Sequence, residues 1–141
     1  MYTRDLLTAQ IETFSKLLAA LILKRKGQAL DYLEEDLLAL SKHQLGIDMA
    51  EVIEMDEATF HQRVLASNDL SPEKKKLLGW ALQEHAELQL SLSNTEHARK
   101  SSYKALMTYR HLLDQQNGIV YDLDVNFRFN FVKSLIDRLN D

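Results

Sequence analysis

Apolar residues recur along this chain in steps of three and four, the spacing that gathers them on one face of a helix. Leu7, Ile11, Phe14, Leu18 and Leu21 make the first such seam, in a helix predicted over residues 3–26. Within it, Leu17-Leu18-Ala19-Ala20-Leu21-Ile22-Leu23 is apolar without a break. A helix with no polar face over about two turns needs cover on more than one side, from its own chain or from a second copy. The run is therefore expected to be what the domain is built around. Asp5 suits the positive end of this helix and Lys24-Arg25-Lys26 the negative end, and Gly27 then turns the chain. Leu30, Leu33, Leu37 and Leu40 repeat the seam over residues 28–45, with Gly46 placed as a left-handed cap. The two helices are expected to form an antiparallel hairpin over residues 3–46.

Residues 47–70 predict two short helices. Met49, Val52, Ile53 and Met55 mark the first, and Asp56 starts the second, which buries Phe60, Val64 and Leu65. Ser71-Pro72-Glu73 is the clearest helix start in the chain: a capping hydroxyl, a proline in the first turn, and an acid behind it. The helix from there carries Leu78, Ala81, His85, Leu88 and Leu92 on one seam, and Gly79 within it predicts close approach of another backbone. After Ser93-Asn94, a helix over about 95–116 sets Ala98, Ser102, Ala105, Tyr109 and Leu112 in the same rhythm. Together they are expected to form a hairpin over residues 71–117. The tail alternates Val125, Phe127, Phe129 and Phe131 with polar residues, a strand pattern. Phe127, Phe131, Leu135 and Leu139 also share a helical face, and a lone strand would have nothing to pair with. A C-terminal helix over 122–140 is predicted, capped by Asp122 or Asp124. The whole chain, residues 1–141, then reads as one all-α domain of five to six helices in antiparallel hairpins.

Composition agrees with this and removes several chemistries. One Pro and four Gly in 141 residues are too few for a turn-rich β protein. The absence of Cys excludes disulfides, thiolate metal sites and a Cys nucleophile, and it fits a reducing cytoplasm. The N-terminus lacks the pattern of a signal peptide. The apolar run falls short of the ~20 residues that a membrane span needs. A formal net charge of −4 supplies no global basic field for nucleic acid.

The hairpin over 72–117 resembles a tetratricopeptide-type helical repeat, with Ala86, Ala98 and Ala105 at the small crossing positions and Tyr103 near the aromatic one. Gly27-Gln28-Ala29-Leu30-Asp31-Tyr32-Leu33 is similar, and Ala29 lies 69 residues before Ala98, close to two periods of about 34. The chain departs from that repeat in having no closing proline, no glycine at its usual place and no middle repeat in 47–70. Its order of elements is also similar to a group of uncharacterised bacterial all-helical proteins. The resemblance implies an interaction surface and no activity.

Motifs that carry chemistry are sparse. No serine elbow or glycine-rich phosphate loop occurs, and the Glu-x-x-His spacing of di-iron bundles is missing. His85 stands out on an apolar seam with Glu84 and Glu87 beside it, either as a metal ligand or base, or as a histidine bonded within the core. Lys24–Lys26, Lys74–Lys76 and Arg99-Lys100 are basic clusters, and the cations of Lys74–Lys76 oppose the helix dipole where they stand. If Phe129 points off the core face, it is an exposed anchor for a partner.

The expected function is a non-enzymatic protein–protein interaction or scaffold module, with no cofactor or metal, that receives a peptide through Leu82, His85, Gln89 and Tyr103. One alternative is a homodimer formed by the first helix through Leu17 and Ile22. The other is a small-ligand or metal-binding protein centred on His85. Neither nucleic acid nor membrane is expected as a partner.

Overall fold

The computed structural model describes residues 12–20, 31–115 and 123–140. All of their regular structure is helical, as the spacing of apolar residues requires. In chain order the helices are α1 (12–20), α2 (Asp31–Leu45), α3 (Met49–Glu54), α4 (Glu57–Phe60), α5 (Pro72–Ser91), α6 (Thr95–Asp114) and α7 (Leu123–Leu139). This is seven helices among the described residues rather than five or six, with the two short helices expected in 47–70 present as α3 and α4. The turn at Gly27 and the residues before 12 lie outside the described residues, as does Ile22.

Local chemistry sets most of the helix ends. Asp48 and Asp56 cap α3 and α4, accepting from the backbone N–H of Glu51 at 3.3 Å and Thr59 at 2.7 Å. Ser71 Oγ accepts from Lys74 N–H at 3.2 Å, so the cap expected for α5 is present. Gly46 has φ +69° and its N–H donates to Lys42 O at 3.0 Å, the left-handed close predicted for α2. One feature had no signal in the sequence: α4 runs into a π-helical turn, His61–Leu65, closed by Ala66 N–H donating to His61 O at 2.7 Å.

Antiparallel packing follows from which residues meet. His85 of α5 touches Ser101 of α6, while Tyr109, further along α6, reaches back to Gln83 and Gly79. Arg99 and Tyr103 of α6 meet Leu139 and Asn140 at the far end of α7. The predicted seam of α6 is buried in full at Ala98, Ser102, Ala105, Tyr109 and Leu112. Two lysines one turn apart on α6 hold the C-terminal end of α3. Lys104 Nζ donates to Ile53 O at 3.0 Å, and Lys100 Nζ to Glu54 Oε2 at 2.9 Å, where cations answer the helix dipole.

Among the described residues the centre of the fold is α5; of the apolar run, residues 17–20 are described and 21–23 lie outside the described residues. From Leu77 to Ala86 every residue is buried except half-buried Trp80, polar Gln83, Glu84 and His85 included. In α1, Phe14 and Leu18 enter the core, whereas Leu17 stays 45% exposed and Ala19 and Ala20 face outward. One stripe of α1 is therefore covered among the described residues. Two further expectations change. A Cβ on Gly79 would lie 2.6 Å from Cε1 of Tyr109, so the glycine admits an aromatic ring rather than a neighbouring backbone. In α7 the buried face is Val125, Val132, Leu135 and Ile136. Phe129 packs partly against the core, and the exposed aromatic is Phe127, at 70%. Asp124 is not the cap of α7 but lies inside its first turn.

Candidate functional site

Three of the four residues expected to touch a partner are inside the protein. Leu82, His85 and Gln89 are 0%, 3% and 1% exposed, because α5 is covered on the α2 side as well as by α6. Only Tyr103 reaches the surface, where its hydroxyl accepts from Asn140 Nδ2 at 3.4 Å. The four therefore do not form a groove.

Around His85 lies a closed polar cluster. Its Nδ1 sits 2.6 Å from Ser101 Oγ, and its Nε2 sits 3.4 Å from Glu34 Oε1 and from Gln89 Nε2. With Nε2–H donating to the Glu34 carboxylate, which only accepts, Nδ1 accepts from the Ser101 hydroxyl, and Gln89 can meet Nε2 only through its amide oxygen. Burial pushes the imidazole below its ordinary pKa, and the nearby Glu34 charge opposes this only in part. The order Ser–His–Glu resembles a hydrolytic triad, but Ser101 is fully buried and no substrate carbonyl can reach it. Among the described residues no three metal-ligating side chains converge. The cluster ties α2, α5 and α6 together.

The open feature lies elsewhere, at the start of α5. A cleft of about 550 Å³ opens between α5, the end of α6, the start of α7 and Ser15 of α1. That volume is within the range of pockets that hold small groups. Each helix supplies it by the same arithmetic. Glu73, Lys76, Leu77 and Trp80 share one face of α5, His111, Leu112 and Gln115 one face of α6, and Asp124, Val125 and Arg128 one face of α7. Leu77, Leu112 and Val125 form an apolar lining, and charged groups ring it.

The ring is organised by one carboxylate. Asp124 accepts from Arg128 Nε at 3.1 Å and pairs with Lys76 Nζ at 3.2 Å. Burial alone would raise its pKa, but Arg128 and Lys76 outweigh burial and hold it below the usual carboxylate range. Held in this way, Arg128 lays its guanidinium 4.4 Å from the centre of the Trp80 ring, a cation–π stack. His111 stands edge-on to His61, ring centres 5.9 Å apart. Burial, then Lys75 and His61, push its pKa down.

Reading the sequence as one dimension of apolar seams missed this cleft. Of the basic cluster Lys74–Lys76, Lys75 and Lys76 line the cleft. The available signal was the chain's one Trp, four residues beyond Lys76 on the same helical face. The other described basic pair is engaged in packing: Arg99 binds Glu96 and Leu139 O, and Lys100 binds Glu54. Lys24–Lys26 lie outside the described residues. No protein-family model, curated protein or solved structure matches this chain.

Proposed function

We propose that this chain is a non-enzymatic interaction module, built on tetratricopeptide-like hairpins, that captures part of a protein partner in the Trp80 cleft. The observation that carries this reading is a contrast in access. In the one reactive-looking cluster the His85 imidazole and Ser101 are buried, while the cleft opens to the surface over an apolar floor with a charged rim. Binding pockets have that composition, an apolar wall with a few placed polar groups. The repeat-like part of the reading draws support from Ala86, Ala98 and Ala105, all fully buried in the α5–α6 hairpin. Affinity capture from the native cell tests it. Trp80→Ala and Lys75→Glu are expected to lose a partner that the wild type and Tyr103→Ala retain. A partner set unchanged by both cleft variants would overturn the reading.

A further inference from the structure

Building on that reading of the cleft, we propose that its occupant is an aromatic side chain standing next to a single carboxylate in an extended segment of the partner. Shape sets the first part. A helix is about 10 Å across and would fill some 550 Å³ in little over one turn, so an extended segment fits better than a helical one. Leu77, Leu112 and Val125 form an apolar floor with little exposed area of their own, and half-buried Trp80 with its stacked guanidinium offers a flat wall. Flat rings stack on both indole and guanidinium, which branched aliphatic groups do not.

Charge sets the second part. The cleft is lined by three cations, Lys75, Lys76 and Arg128, against two carboxylates, Glu73 and Asp124. The local excess is one positive charge, in a chain whose formal net charge is −4. Asp124 is already answered by Arg128 and Lys76. Lys75 makes no ion pair among the described residues. His111 adds no further charge near neutral pH, since burial and its cationic neighbours favour its neutral form. One carboxylate on the occupant balances the ring, and Lys75 is placed to receive it.

The single Trp makes the test direct, because one indole N–H resonance reports on the cleft of the intact chain. The probes are N-acetyl-Phe-Asp-amide, its Asn isostere, and N-acetyl-Leu-Asp-amide. The Phe-Asp peptide is expected to shift the resonance saturably and to bind about fivefold tighter than either relative. High salt, Lys75→Gln and Arg128→Gln should each erase the preference for Asp over Asn. Arg128→Gln also removes a bond to Asp124, and Lys75→Gln keeps the test sound if that variant loosens α7. Equal affinity for Asp and Asn, equal affinity for Phe and Leu, or no shift with any peptide overturns the proposal. So does a concentration-dependent shift of the free protein, which would make a second copy the occupant. Loss of selectivity leaves partner capture by the cleft standing, whereas capture indifferent to Trp80 and Lys75 overturns that reading itself.

Discussion

His85 shows how one residue can look chemical and act structurally. Its imidazole is 3% exposed and bonded at Nδ1 to Ser101, so the neutral form is the one the fold holds. Burial lowers its pKa in the folded chain, while the unfolded chain titrates near the ordinary value of about 6.5. Below that value the unfolded state binds a proton that the folded state resists. Stability contributed by the neutral ring is therefore present above about pH 6.5 and lost as pH falls through the folded value. Urea midpoints of the wild type are expected to fall between pH 7 and pH 5. His85→Gln should fall less steeply, leaving the contribution of His111, which has the same sign. A variant curve parallel to the wild type would show that His85 does not carry the effect. Lys104 is the second buried charged group of this kind. Burial lowers its pKa, Glu57 and Glu54 oppose that, and it stays useful because its ammonium closes α3 through Ile53 O.

At the scale of elements, the α5–α6 turn is the most informative. Asn94 N–H donates to Gln89 O at 2.8 Å and Ser93 N–H to Leu90 O at 3.0 Å, the paired bonds of a Schellman close. That close puts its central residue in the left-handed region, and Ser93 has φ 61° there, where glycine is usual. A residue with a Cβ pays roughly 1–2 kcal/mol in that conformation, offset in part by the greater unfolded-state freedom of glycine. Ser93→Gly is expected to raise stability by about 0.5–1 kcal/mol, measured by urea unfolding. An unchanged or lower midpoint would argue that the Ser93 side chain contributes something the turn geometry does not show. The serine also explains why the hairpin lacked a glycine signal in the sequence: hydrogen bonds close the turn, and a hydroxyl residue tolerates it.

Across the whole molecule, the exposed apolar residues are spread rather than gathered. Leu17, Tyr103 and Phe127 are the large hydrophobics left in solvent among the described residues, each on a different helix. Leu17 belongs to the run that prompted the homodimer alternative, and its 45% exposure is what keeps that alternative specific. Light scattering behind size exclusion should show a dimer at tens of micromolar if α1 is an interface, and a monomer for Leu17→Glu. A monomeric wild type would remove the idea. Because Leu17 is already half in water, the glutamate should cost little folding stability, so loss of a dimer would not be confused with loss of fold.

The all-helical class, the buried seams of α2 and α6, and the caps at Gly46, Asp56 and Ser71 were legible in the chain. They depend on residues within a turn or two of one another, where side-chain spacing and capping chemistry act directly. The helix chosen over a strand for α7 was legible for the same reason, with the described helix, Leu123–Leu139, falling inside the expected 122–140. Which helix lies at the centre was not. Uninterrupted hydrophobicity pointed to Leu17–Leu23, yet among the described residues α5 is the most buried helix, its Gln83 and His85 finding partners on neighbouring helices that no single helix reveals. The cleft was hidden for a related reason. Trp80, His111 and Arg128 lie on three separate elements, and only packing sets the Arg128 guanidinium over the indole and brings Lys76 to the carboxylate that holds Arg128.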